Sequence, residues 1–171
     1  MALKADRYEE STDISHFMNA TATRGGVACY DAAALAGASG AAMDQGENLV
    51  SYQTAAVTDV PAGILLNDVV NKDLTRTHLN QFKDEVQKGG KVTLLTRGWV
   101  VTSNVTGTPE AGKLAYADVT TAGNVSAENA ADAVASGNLA VGRWMSRKDA
   151  DGYAKLYVNL PNHGGGGPVA P

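Results

Sequence analysis

The chain has few bulky apolar side chains with which to build an interior. Leu, Ile, Val and Phe number 13, 2, 17 and 2, together 34 of 171 residues, whereas Ala and Gly number 28 and 19. Burial is worth roughly 25 cal/mol per Å² of apolar surface, and it must oppose a backbone ordering cost of about 1–2 kcal/mol per residue. Small side chains supply little of that area. A fraction this low borders on disordered compositions, and the modest net charge of −4 keeps the chain on the folding side. A thin core is expected, and with it a molecule that gains much by packing on neighbours.

Charge and cysteine content remove several function classes. With 18 acidic and 14 basic residues, the chain is not built to hold nucleic acid mainly by clasping phosphates. Cys29 is the only cysteine, so no intrachain disulfide or cysteine zinc site is expected. The first ten residues carry charges at positions 4, 6, 7, 9 and 10 and no apolar signal core. No run approaches the ~18 apolar residues of a membrane helix, so no membrane partner is expected. The expected compartment is reducing cytoplasm, or the exterior of something assembled there.

The periodicities predict a mainly β chain. Residues 1–24 sustain neither helical nor strand period and read as an extended arm, with Tyr8, Ile14, Phe17 and Met18 as anchors. Val27–Tyr30 reads as a short strand before an Ala/Gly loop that runs to residue 47. Leu49–Val57 alternates in part, Pro61 and Gly63 mark a turn, and Ile64–Leu66 follows as a short apolar run. Lys91–Thr102 (KVTLLTRGWVVT) is the clearest strand, in which Gly98 signals a bulge or a close backbone approach. Lys113–Asp118 alternates. Ala140–Met145 and Tyr153–Leu160 flank a turn ending in Asp151-Gly152, the signature of a hairpin. Residues 71–88 are open between two readings: a helix with Leu79, Phe82 and Val86 on one face, or an extended crossing. The domain division is 1–47 for arm and loop, 48–160 for a small β-barrel or β-sandwich, and 161–171 for a disordered Gly/Pro-rich tail.

Nothing in the sequence converges on catalysis. His16, His78 and His163 are scattered, and Asp13 beside His16 is too little for a metal site. Asp149, Asp151 and Gly152 resemble a fragment of a calcium loop, but the remaining ligands are absent and a hairpin turn accounts for them. Gly37–Ala41 lacks the second Gly of a nucleophile elbow, and no dinucleotide or P-loop motif occurs. No catalytic residue, cofactor or metal is expected. Trp99 and Trp144 read as core residues rather than a ligand platform, because large apolar side chains are scarce here.

Four segments carry a resemblance: Val60–Val70 (VPAGILLNDVV), Lys83–Val101 (KDEVQKGGKVTLLTRGWVV), Val141–Trp144 (VGRW) and Asp151–Leu160 (DGYAKLYVNL). Across residues 48–160 the chain resembles the capsid decoration, or cement, proteins of tailed bacteriophages, in particular those of short-tailed cyanophage-like viruses. The resemblance implies a structural virion protein on the outer capsid surface, assembled in the host cytoplasm. It implies the major capsid protein as partner and a homo-oligomer, trimer or dimer. Tyr8, Ile14, Phe17, Leu79 and Phe82 are the residues expected to meet that partner, and removal of residues 1–20 is expected to leave the barrel folded. A head-fibre or carbohydrate-binding module is the alternative, marked by an exposed aromatic cluster.

Overall fold

The computed structural model describes residues 3–30, 48–52, 60–68, 85–118, 120–128 and 139–160. They form thirteen strands: β1 (Leu3–Asp13), β2 (Phe17–Met18), β3 (Ala22–Thr23), β4 (Val27–Tyr30), β5 (Leu49–Tyr52), β6 (Pro61–Asp68), β7 (Glu85–Val86), β8 (Val92–Thr102), β9 (Val105–Thr106), β10 (Leu114–Ala117), β11 (Val125–Ser126), β12 (Ala140–Trp144) and β13 (Ala154–Asn159). Eleven of them make one mixed sheet, and β3 and β7 make a separate two-stranded ribbon. The mainly β expectation holds. The sheet is not a closed barrel, because its path of paired strands ends at β2 on one side and β9 on the other.

Strand β8 organises the rest. Its first half pairs with β6, from Asp68↔Val92 to Ile64↔Leu95. Its second half pairs with β13, from Asn159↔Arg97 to Ala154↔Thr102. Strand β1 pairs along both halves, from Asp13↔Leu94 to Leu3↔Thr102. A strand has two edges, so β1 occupies one of them, and β6 and β13 share the other in succession. The sheet therefore divides at Thr96 into two limbs, β6-β4-β5-β2 and β13-β12-β10-β11-β9, and the Leu160 amide closes the fork by donating to the Thr96 carbonyl at 2.7 Å.

The limbs enclose one core. Val27, Cys29, Ile64, Leu66 and Leu95 from the first limb meet Val100, Val141, Trp144, Leu156 and Val158 from the second. Leu95 and Val100 are five residues apart and would point to opposite faces of an unbroken strand. A register shift at Thr96, where Ser11↔Arg97 is followed by Thr12↔Leu95 and β8 carries the extra residue, lets both face inward. The first limb is also covered on its outer face, where Met18, Ala28, Val50, Leu65 and Leu94 cluster with Ala22 and Val86 of the β3–β7 ribbon. Burial on both faces explains why Ile64, Leu65 and Leu66 are consecutive and fully enclosed.

Two sequence expectations change. Pro61 and Gly63 belong to strand β6 rather than a turn. Proline is tolerated at the first strand position, and Gly63 admits the Leu94 side chain, which would lie 2.8 Å from an added Cβ. Residues 1–24 are extended but not an unpacked arm: β1 is laddered to β8, Leu3 is in the core, and Met18 is fully buried. Bulges in β1 and charge on an edge strand mask its period in the sequence. Removing residues 1–20 thus strips core side chains. The readings for 31–47, for most of 71–88 and for the tail lie outside the described residues.

Candidate functional site

Local structure on the second limb places a row of large side chains on its outer face. The pairings are Tyr8↔Trp99, Trp99↔Tyr157, Tyr157↔Arg143 and Arg143↔Leu114. Directly opposed residues on paired strands share one face. Tyr8, Trp99, Tyr157, Arg143 and Leu114 therefore form a single rung across β1, β8, β13, β12 and β10. With neighbouring strands about 4.8 Å apart, the rung spans roughly 19 Å. Its ends are open, with Tyr8 55% and Leu114 44% exposed. Met145, also exposed, lies alongside, since its amide donates to the Lys155 carbonyl.

Polar contacts fix the rung. Arg97 lies beside it, with Nε 2.8 Å from a Glu10 carboxylate oxygen and donating to the Tyr157 hydroxyl at 3.4 Å. The Tyr157 hydroxyl in turn donates to Glu10 at 3.4 Å. The hydrogen bond from Arg97 to Tyr157, with the Glu10 charge, holds Arg97 even more firmly protonated than usual. Lys155 Nζ sits 3.3 Å from the centre of the Trp99 ring, and Lys4 Nζ sits 4.2 Å from that of Tyr153, both within cation–π range. Arg143 donates to the Gly112 carbonyl. The face thus combines aromatic rings and guanidinium groups, the residue types that dominate binding energy at protein interfaces, with Leu114 at one end.

Its backbone allows close approach. A Cβ at Gly98 would meet the Tyr8 carbonyl, and one at Gly142 the Tyr157 carbonyl. Glycine at these two positions lets β1, β8, β13 and β12 lie tightly enough for the rung to be continuous.

Of the residues singled out from sequence, Tyr8 lies on the rung. Ile14, 51% exposed, follows the end of β1 and is not part of it. Phe17 is half-buried in β2, opposite Leu49 and bridged through its backbone to Lys91, and is not part of the rung. Leu79 and Phe82 lie outside the described residues. Trp144 is in the core as expected, while Trp99 is half-exposed on the outer face, which corrects the core reading for that residue. Tyr157, Arg143 and Leu114 carry no site signal of their own in the sequence, although Tyr157 is legible as outward-facing: in Tyr153–Leu160 the aromatics fall on the polar parity with Lys155 and Asn159.

An open polar groove at the fork is lined by Ser11, Thr12, Asp13, Thr96, Arg97, Asn159 and Leu160. Beside it, Asp13 accepts from the Ser15 amide at 2.7 Å and hydroxyl at 2.6 Å, and the His16 imidazole lies 3.4 Å from its other oxygen. Partial burial alone would raise the Asp13 pKa, but the Ser15 bonds and His16 outweigh it and hold the carboxyl below its ordinary value. The serine faces the carboxylate rather than the imidazole, so the geometry is that of a turn and not of a nucleophile with its base. Among the described residues no group of three or more His, Cys, Asp or Glu side chains could hold a metal ion.

Residues 8–159 match the model of a phage cement family, described as structural cement protein (E217 gp24/Pam3 gp6). The chain belongs to that family. This cement protein is accordingly a structural, capsid-binding protein of the phage particle. Its fold is similar to a chain from a solved structure of the capsid of Myoviridae phage XM1, with a TM-score of 0.52 at 11% identity, covering 88% of this chain and 83% of that one. No curated protein sequence matches it.

Proposed function

We propose that this cement protein sits on the outer surface of the shell, where it joins adjacent major capsid protein subunits as a homo-oligomer, through the Tyr8–Trp99–Tyr157–Arg143–Leu114 rung. One observation carries the assignment of the face: a chain with only ten aromatic residues places three of them, joined by an arginine, in one outward row. An interior this short of bulky residues favours spending such side chains inside, so their position outside argues for a partner that covers them. Contacts of modest strength suffice, because repetition over a lattice multiplies them. The role is mechanical and requires no reaction.

The carbohydrate-binding reading gains little from the half-exposed Trp99, since Lys155 occupies one face of its ring. The test is to add purified protein to particles stripped of it and measure occupancy. Trp99→Ala and Tyr157→Ala each should weaken binding about 10- to 100-fold, the range of a hot-spot truncation, while leaving thermal unfolding nearly unchanged. Wild-type occupancy by the double variant would refute the face.

A further inference from the structure

Charge on the rung face says what kind of surface it fits. The pairings Arg97↔Asn159 and Lys155↔Val101 flank Trp99↔Tyr157, and Arg143 lies opposite Tyr157. Arg97, Arg143 and Lys155 are the charged side chains at the paired outward positions of β8, β12 and β13. All three are cations, in a chain whose net charge is −4. Glu10, from the bulged part of β1, already answers Arg97 at 2.8 Å. Arg143 and Lys155 differ: among the described residues neither forms an ion pair with a carboxylate. Their contacts are with neutral groups, the Gly112 carbonyl for Arg143 and the Trp99 ring for Lys155. A guanidinium carries five N–H donors and an ammonium three, so donors remain for a partner.

We infer that the surface covering the rung is acidic, and that it sets one carboxylate on Arg143 and another on Lys155. The inference rests on the proposed docking face and names the chemistry of its partner, an acidic segment of the capsid protein. Two strand spacings separate the Trp99 and Arg143 positions, so the two carboxylates stand roughly 10 Å apart, one on each side of Tyr157. A wholly apolar cover would bury two cations without counter-charge, which is strongly unfavourable. Carboxylates at those positions remove the penalty, and the rings beside them keep water from the pairs. Arg143 suits a bidentate grip, whereas Lys155 offers a point charge already held by the Trp99 ring. A nucleic-acid backbone is a poorer match, because two available cations on a net acidic chain neutralise few phosphates.

The test is the salt dependence of binding to stripped particles. Raising salt to about 1 M, where the screening length is ~3 Å, should weaken wild-type binding about tenfold or more. Arg143→Gln combined with Lys155→Gln should weaken binding by about as much at low salt and leave little further salt effect. Arg143→Lys combined with Lys155→Arg keeps both charges and should keep the salt effect. Glu10→Gln removes the acid from the face and should tighten binding. Thermal unfolding of each variant, expected to match the wild type, separates loss of charge from loss of fold. Salt-independent wild-type binding would overturn the inference. So would a double Gln variant that binds as the wild type does or retains its salt effect, or a Glu10→Gln variant that folds normally and binds less well. A single-stranded oligonucleotide that competes with particles for this face would overturn it too, and give the site to nucleic acid. The two readings fail differently. Trp99→Ala and Tyr157→Ala proteins that bind as wild type sink the docking face and this inference with it; if they bind weakly while the double Gln variant does not, the face stands and only its acidic partner falls.

Discussion

Gly98 shows how much one residue sets. Its φ of +136 lies in a region that side chains rarely adopt, and the Tyr8 carbonyl occupies the space a Cβ would need. Gly98→Ala should therefore cost about 2 kcal/mol or more, from strain and from separation of β1, seen as a lowered denaturation midpoint. Asp118 makes a second case. Burial raises its pKa, but bonds from Thr106 and from the amides and hydroxyl of Thr120 and Thr121 outweigh this and hold it below the ordinary 3.8; the Thr120 amide and hydroxyl each lie at 2.7 Å. A carboxyl with a depressed folded-state pKa stabilises above its unfolded value and loses that contribution as pH falls through the folded one. Asp118→Asn should thus destabilise at neutral pH by about 1–3 kcal/mol, and its deficit should shrink below pH 3.8, as unfolding titrations of both proteins will show. Gly98 was legible in the sequence as an interruption within a strand. Asp118 was not, because its partners come from strand β9 and from a turn that the sequence does not announce.

Among the elements, alternation decided what could be read. The β12–β13 hairpin was visible because Ala154, Leu156 and Val158 are buried on one parity and the turn closes at Asp151-Gly152, where Gly152 takes φ +85 and the Asp149 carboxylate accepts from the Asp151 and Tyr153 amides. Strand β1 was hidden because its burial is confined to Leu3 and its charges face solvent. The rung was hidden for a different reason: it is assembled from five strands, and cross-strand neighbours leave no mark along one sequence. Deleting residues 1–13 tests the weight of β1. Loss of Leu3 and of the ladder on β8 should lower the melting temperature and promote association through the bared β8 edge, measured by calorimetry and light scattering. An unchanged melting temperature would restore the view of this segment as a dispensable arm.

On the scale of the whole molecule, a thin interior is compensated by layering. The first limb has cover on both faces, so Leu65 and Leu94 contribute to one cluster while Ile64 and Leu95 contribute to the other. Small residues fit such a stack, since Ala28, Ala62 and Gly63 let neighbouring layers come close. The composition announced the shortage of bulk but not this remedy, which depends on topology rather than on residue counts.

Strand β8 belongs to both limbs and is flanked on both edges. Neither half of the molecule can melt alone, because each would have to tear away from a strand the other still holds. Heating should give one calorimetric transition with equal van't Hoff and measured enthalpies, and the slowest-exchanging amides should lie in β8. A clamp that yields only as a unit passes load from one flank to the other without a weak joint between them.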